Sequence, residues 1–175
     1  MKLDILAFGA HPDDVEISAG ATLLKYSQQG KKIGIIDLTL GELSTRGNVD
    51  LRKQEAQKAS EFLRLSVREN LELKDGFFSE NEDTLRLIIS KIRQYQPTII
   101  MANSLSDRHP DHGCAAQLLG NAAYYSGLLK IQTQVNGSKQ MPWRPKIVLH
   151  YIQDFHREPD LLLDVTGFEK DKVEL

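Results

Sequence analysis

Short apolar runs alternate with longer amphipathic segments along most of the chain. The apolar runs cover residues 3–8, 32–40, 67–73 and 98–102. They are short, rich in branched side chains and followed by glycine or polar residues, which is typical of buried strands. Between and after them, apolar side chains recur with helical spacing over residues 14–29, 51–63, 85–96 and 111–131. This alternation predicts an α/β fold, a three-layer sandwich in which helices cover both faces of a mostly parallel sheet.

The connections between these elements limit the strand order. Right-handed crossovers make 3-2-1-4 the simplest arrangement, so the first and fourth strands lie side by side where the winding reverses. Ligands of such sheets bind there, beyond the carboxyl ends of the strands. Two more strands are predicted at residues 146–151 and 161–165, and residues 132–145 are expected to form a surface loop or flap.

Closely similar tetrads follow the first and the fourth strand. They read His-Pro-Asp-Asp at residues 11–14 and His-Pro-Asp-His at residues 109–112. Each is expected to open a helix with proline at the first helical position, where its missing N–H is no loss. The strand order predicts that the two tetrads face each other.

This pair of tetrads indicates a metal site. His11 and Asp14 are three residues apart and could share one ion, and His112 could complete a set of two imidazoles and one carboxylate. Three protein ligands and a water are typical of catalytic zinc, whereas structural zinc normally has four ligands, often thiolates. The single cysteine, Cys114, cannot supply these. Fe²⁺ suits the same donors, so both Zn²⁺ and Fe²⁺ are retained.

The other tetrad residues fit catalytic roles. Asp13 is a candidate general base towards the water of the site. His109 is predicted to face the site as a cation that stabilises an oxyanion or protonates a leaving amine, with Asp111 holding its ring. Each aspartate has an alternative interpretation as a simple helix cap.

Two arginines are candidate substrate-binding residues. Arg46 lies in the glycine-flanked loop after the second strand, and Arg52 is near the start of the next helix, for which Asp50 is a plausible N-cap. A guanidinium there could bind a carboxylate through two hydrogen bonds. The alternative is that either arginine pairs with Asp50 or Glu55 on a solvated surface.

Composition and charge exclude several classes of protein. A 41% hydrophobic and 26% charged chain is globular. A net charge of -2 argues against nucleic acid as the main partner. No apolar run has the length of a membrane span, which needs about 18 residues or more, and one cysteine without a leader pattern indicates the cytoplasm. A nucleotide-binding module would need Gly-X-Gly-X-X-Gly after the first strand, where this chain has Gly-Ala-His-Pro-Asp-Asp.

Both tetrads, the segment 41–47 (Gly-Glu-Leu-Ser-Thr-Arg-Gly), Arg52 and Glu55-Ala56 resemble the motifs of a known family. The chain is similar to the LmbE-like or PIG-L zinc-dependent N-acetylglucosamine deacetylases, most of all to those that act on N-acetylglucosaminyl-malate in bacillithiol biosynthesis. The resemblance implies a Rossmann-like fold, with His11, Asp14 and His112 as zinc ligands. It also implies Asp13 as base and His109, supported by Asp111, at the tetrahedral intermediate.

The implied reaction is hydrolysis of an N-acetyl group from a small N-acetylglucosamine conjugate, releasing acetate and a free amine. Another N-acetylglucosaminyl substrate, or a metal-binding relative without catalysis, stays open as an alternative, and the resemblance also allows a homo-oligomer. Residues 1–175 are interpreted as one domain. Thr166 is predicted to cap a helix over residues 168–175, and because half an amphipathic helix rarely ends a domain, a C-terminally shortened domain is one interpretation.

Overall fold

A five-stranded parallel sheet forms the centre of the molecule in a computed structural model that describes residues 1–175. Its order is β3-β2-β1-β4-β7, and every neighbouring pair is parallel. The predicted α/β class and the 3-2-1-4 order are confirmed. The strands of this sheet are β1 (Ile5–Gly9), β2 (Ile33–Thr39), β3 (Val67–Leu73), β4 (Ile99–Ala102) and β7 (Ile147–His150), and β5 (Gln134–Val135) pairs with β6 (Ser138–Lys139) in a separate hairpin.

Helices cover both faces of the sheet. They are α1 (Asp14–Gln28), α2 (Val49–Phe62), α3 (Glu82–Tyr95), α4 (Pro110–Tyr125) and α5 (Glu169–Glu174). Leu23 of α1 and Leu63 at the end of α2 belong to one buried cluster, and Ile92 of α3 and Leu119 of α4 belong to the other. This division follows from right-handed crossovers, because the chain winds outward from β1 in one direction and returns in the other. The reversal leaves β1 and β4 as neighbours with free carboxyl ends.

The edge strand β3 is irregular, which explains its imperfect alternation in the sequence. The register of β2 against β3 shifts between Asp37 and Thr39, and Glu72 has a φ of 53°. The Asn70 side chain stabilises this bulge, because its amide donates to the Thr39 carbonyl and its oxygen accepts the N–H of Glu72. Bulges of this kind occur most at sheet edges and beside functional sites.

Three predicted helix boundaries were wrong. The second helix begins after Asn48, whose side chain accepts the N–H of Leu51, so Asp50 is not its cap. Helix α4 ends at Tyr125 because the buried guanidinium of Arg93 binds the carbonyls of the turns that follow, at Ser126, Leu128 and Ile131. The last helix begins at Glu169 without a side-chain cap, so Thr166 does not cap it.

Two further expectations were wrong in part. Only the second tetrad has proline as the first helical residue, because α1 begins at Asp14 and Pro12 lies in the turn before it. Residues 161–165 form no strand; Leu162 is 81% exposed, and the segment lines a cleft of about 530 Å³ between α1 and β7. β7 is an edge strand paired only with β4, yet this segment does not pair with it, so an apolar pattern alone does not make the segment part of the sheet. No helix has the length and apolar composition needed to span a membrane.

Candidate active site

The two tetrads meet beyond the carboxyl ends of β1 and β4. The ring centroid of His11 lies 4.6 Å from that of His109 and 5.7 Å from that of His112. The rings of His109 and His112 stack at 5.2 Å. The parallel pairing of β1 with β4 brings these loops together although about a hundred residues separate them in the chain.

A backbone turn out of β1, rather than helical spacing, sets the conformation of the first tetrad. A side chain on Gly9 would place its Cβ 2.9 Å from the carbonyl of His11, so glycine allows the chain to turn sharply out of β1. The N–H of His11 then donates to Oδ2 of Asp14 at 3.0 Å. This turn, and not an i, i+3 pair within a helix, brings the His11 ring and the Asp14 carboxylate to one side.

Three side chains present metal-binding atoms to one another. His11 Nδ1 lies 3.6 Å from Oδ2 of Asp14, and His112 Nε2 lies 3.2 Å from Oδ1 of the same carboxylate. Asp14 and His112 are 2% and 3% exposed, so water hardly competes for them. Two imidazole nitrogens that each approach one oxygen of a carboxylate are a donor set that suits Zn²⁺ or Fe²⁺. Ring nitrogens of His11, His109 and His112 also lie within 4.8 Å of one another.

The outer nitrogen of each imidazole is bound to carboxylates. His112 Nδ1 lies 3.0 Å from Asp107, and His11 Nε2 lies 3.0 Å from Asp75 and 3.2 Å from Asp111. A carboxylate can only accept here, so these nitrogens carry protons, and His112 Nε2 and His11 Nδ1, which face Asp14, are the nitrogens that would bind an ion once deprotonated. Carboxylates on the far side of metal-binding histidines commonly set the tautomer and ring orientation in this way.

The electrostatics of the site favour a cation. Burial alone would lower the pKa of His11, but the hydrogen bond to Asp14 and the charges of Asp75 and Asp111 raise it to about 9. Burial opposes ionisation of Asp14, yet hydrogen bonds from His11 and His112 hold its pKa well below the usual range. The carboxylates thus stabilise positive charge where the three donors converge, and the residues present fit a divalent metal.

Asp13 lies beside the candidate metal ligands and next to an arginine. Burial, reinforced by the charge of Asp14, raises its pKa, and the guanidinium of Arg52, 3.3 Å away, offsets part of that rise. The Ser44 hydroxyl accepts a second Arg52 N–H at 3.1 Å. Arg52 therefore pairs with Asp13, and neither Asp50 nor Glu55 contacts it. A carboxylate with increased proton affinity is suited to act as a base.

The structure corrects the interpretation of His109 and Asp111. The Asp111 carboxylate accepts the N–H of Gly76 at 2.9 Å and contacts the ring of His11, so the expectation that it holds the His109 ring was wrong. Instead, His109 Nδ1 accepts the backbone N–H of Asp111 at 3.2 Å. Burial and the charges of His11 and His112 lower the pKa of His109. Since Nδ1 accepts that N–H, His109 presents an N–H through Nε2, and its lowered pKa favours the neutral ring over the expected cation.

Arg46 lies apart from these residues. It is exposed, and only its backbone is hydrogen-bonded, to Ser44. The structure thus brings together every predicted site residue except this arginine.

Four residues of the site were not predicted from the sequence: Asn103, Asp75, Asp107 and Gln153. A signal existed for Asp75, because an Asp-Gly pair directly after β3 must lie at the same edge of the sheet as the tetrads. Asp107 is five residues from His112, but the contact between them depends on a loop conformation that sequence periodicity does not predict. Gln153 comes from the loop after β7 and had no signal.

The sequence matches a known protein family over its first two thirds. A model of the PIG-L family, described as GlcNAc-PI de-N-acetylase, matches residues 6–123, a segment that contains both tetrads. The chain belongs to the PIG-L family. The family match agrees with the resemblance expected from the tetrads.

Relatives and solved structures agree with this membership. The chain is 33% identical over 117 residues to the uncharacterized deacetylase YaiS of Escherichia coli, and 29% identical over 134 residues to the diacetylchitobiose deacetylase of Thermococcus kodakarensis. These matches cover 61% and 50% of the relatives, so the chain spans less than two thirds of their length. The conserved protein TT1542 of Thermus thermophilus has the same fold, with 31% identity and a TM-score of 0.90 over 98% of this chain and 76% of that one.

Proposed function

We propose that this PIG-L family chain is a metal-dependent hydrolase that removes the N-acetyl group from an N-acetylglucosamine conjugate, releasing acetate and a free amine. The observation that carries the proposal is the convergence of His11, Asp14 and His112, with Asp13 beside them, at the switch point of the sheet. Relatives named as deacetylases of acetylated glucosamine sugars support the substrate class.

His11, Asp14 and His112 would hold the ion. We propose Zn²⁺, with Fe²⁺ as the alternative that the same donors accept. A divalent ion in this site would polarise the acetamide carbonyl and make water more acidic. The hydrogen bonds from His11 and His112 to the surrounding carboxylates keep both rings oriented before any ion binds.

The remaining side chains would perform the proton transfers. Asp13 would take a proton from the attacking water, since burial has raised the pKa of its carboxyl. His109 would donate a hydrogen bond from its Nε2–H to the developing oxyanion. The proton that Asp13 takes from water would pass to the leaving nitrogen, so that acetate and a free amine are released. Asp111 would act indirectly, through the ring of His11 and the backbone bond that orients His109.

We further propose N-acetylglucosaminyl-malate, the bacillithiol precursor, as the substrate. Arg52 supports an anionic ligand, because its Nε is buried and has no hydrogen-bond partner. Arg46, Lys74 and Arg108 add positive charge on loops at the same edge of the sheet. A guanidinium with a free donor is suited to bind the malyl carboxylates or the acetate product.

Removal of the metal should abolish the reaction. We expect acetate release from N-acetylglucosaminyl-malate to fall to background after chelation and to return when Zn²⁺ or Fe²⁺ is added. The measurement is free amine formed from a panel that also contains diacetylchitobiose and N-acetylglucosaminyl-inositol. A chain that binds metal but releases acetate from none of them is a metal-binding protein and not a deacetylase.

Replacing Arg52 should affect anionic substrates most. For Arg52→Met we expect kcat/KM for the malyl conjugate to fall about 10-fold to 100-fold more than that for diacetylchitobiose, the factor for one lost charge-assisted hydrogen bond. An effect of the substitution on Asp13 would lower kcat/KM equally for both substrates, so it cancels when the two are compared. Arg64→Met, at an exposed arginine just after α2, is the matched control, and equal losses on both substrates would remove Arg52 from substrate selection.

A further inference from the structure

Uncharged donors hold the carboxylate of Asp14 on both of its oxygens. Oδ2 accepts the N–H of His11 at 3.0 Å and the side-chain amide of Asn103 at 2.9 Å. Oδ1 accepts the side-chain amide of Gln153 at 2.8 Å. These amides orient the carboxylate without neutralising it, so its full negative charge stays available to a cation.

The orientation of both side-chain amides follows from their other partners. Asn103 is fully buried, and its Oδ1 accepts the N–H of Ala10 at 3.0 Å, so its nitrogen must face Asp14. The Oε1 of Gln153 lies 3.5 Å from the Asn103 nitrogen, which directs the Gln153 nitrogen to Asp14 in turn. Both amides are therefore specific donors in a connected network.

Gln153 is held from a firmly anchored strand end. The ring of His150 donates to the carbonyl of Asn103 at 2.8 Å, and Tyr151 donates its N–H to Ala102 and its hydroxyl to Phe8. Tyr151 is 7% exposed. Two residues later Gln153 reaches Asp14, so the loop over residues 153–160 starts at a fixed point beside the metal ligands.

A second contact ties the same loop to the other half of the site. Asp107, which accepts the Nδ1 proton of His112, also lies within 3.3 Å of the N–H of Phe155 and 3.5 Å of that of Asp154. The loop thus contacts one metal ligand directly, at Asp14, and another through Asp107, at His112. The other residues of the loop are exposed, and Asp154 adds an ion pair with Arg108 at 3.3 Å.

We propose that Gln153 is a positioning residue for the metal site, and that it couples docking of loop 153–160 to metal binding. The inference rests on the metal site of the proposed function but not on its chemistry. Coupling of this kind is reciprocal, because a loop that strengthens metal binding when docked must itself be held more firmly once the metal is bound.

The first test is the affinity for Zn²⁺, measured by competition with a chromophoric chelator in the absence of substrate. Gln153→Met keeps the length of the side chain and removes the donor. We expect it to weaken Zn²⁺ binding about 10-fold to 100-fold, the range for residues that orient a metal ligand. Glu158→Gln, in the same loop but paired only with His156 on the surface, should leave the affinity unchanged.

The second test measures the reverse effect, by hydrogen–deuterium exchange of residues 152–160 with and without Zn²⁺. In the wild-type chain, bound Zn²⁺ should slow exchange at Asp154 and Phe155 several-fold or more. In Gln153→Met this protection should shrink while the stability of the metal-free chain stays the same. A purely structural glutamine would alter exchange equally with and without the ion.

Three outcomes would overturn the proposal: a Gln153→Met affinity within twofold of the wild type, wild-type exchange in the loop that ignores Zn²⁺, or a chain that takes up no divalent ion. The wild-type exchange experiment tests the coupling between the loop and the metal even if the variant fails to fold. Metal binding with the expected coupling but without acetate release would refute the deacetylase alone. Acetate release with a normal Gln153→Met affinity would refute the positioning role alone.

Discussion

Replacing Asp13 with asparagine should reduce acetate release at least about a hundredfold, the usual contribution of a general base. The carboxylate is next to Asp14 in the sequence, and burial raises its pKa, so it is well placed to accept a proton. It makes none of the contacts that bring His11, Asp14 and His112 together. The loss should therefore fall on kcat while Zn²⁺ binding is retained.

Two controls separate this effect from a general disturbance of the loop. Asp50→Asn, at an exposed site in the first turn of α2, should have normal activity. Asp13→Ala should resemble Asp13→Asn in rate, although it also frees Arg52 from its 3.3 Å contact. Near-normal turnover in both Asp13 variants would show that another group takes the proton.

The second large effect concerns stability. Arg68 of β3 is a buried cation that binds both oxygens of Asp37 at 2.9 and 3.0 Å and also contacts Glu16 and the carbonyl of Ala56. Arg68→Met would leave two buried carboxyl groups without their cation. We expect the free energy of unfolding to fall by about 3 to 5 kcal/mol, as for other broken buried ion pairs. Chemical denaturation measures this loss.

The pH dependence of that loss identifies its cause. Burial raises the pKa of Asp37 to about 7 even beside Arg68, and removal of the cation raises it further. A carboxyl group whose pKa is raised in the folded state lowers the free energy of unfolding of the protein as the pH rises from the unfolded pKa, about 4, towards the folded pKa. The deficit of Arg68→Met should therefore be larger at pH 8 than at pH 5.

Two further variants test whether the buried charges cause the loss of stability in Arg68→Met. Arg86→Met removes an exposed i, i+4 pair with Glu82 and should cost about 1 kcal/mol or less. Adding Asp37→Asn and Glu16→Gln to Arg68→Met should recover part of the lost stability, because no unpaired charge then stays buried. A deficit that is independent of pH and not recovered would mean that lost packing, and not charge, dominates.

The sequence predicted the main elements of the fold because their signals are local. Buried strands are apolar throughout, and the helices that cover them repeat every three to four residues. β1, β2, β4 and the first three helices were therefore found near their observed bounds, and α4 near its start. The hairpin of β5 and β6 was missed although Asn136-Gly137 turns with two positive φ values, a pair that favours this turn. The 161–165 segment was assigned to the sheet because an apolar run alone does not report whether its backbone pairs with the edge strand β7.

The candidate site was likewise predicted where its signals are local along the chain and missed where they are not. The tetrads were identified because the ligands and the base lie within a few residues of each other, at ends of strands that parallel topology must bring together. The partner of the Asp111 carboxylate was predicted wrongly, because this carboxylate contacts the ring of His11, which is 100 residues away, and not the ring of His109. The structure also favours a neutral His109 where the sequence predicts a cation, since this charge depends on burial and on the neighbouring imidazoles.

The sequence by itself therefore determined the layered α/β fold, its switch point and the two tetrads gathered there. Only the tertiary structure decided how these side chains pair. Asp75 reaches His11 across 64 residues and Gln153 reaches Asp14 across 139, through loops without periodic patterns. Strand and helix signals arise from contacts repeated along one element, whereas the hydrogen bonds that tune a site join single residues of distant loops, and only the packed sheet sets those distances.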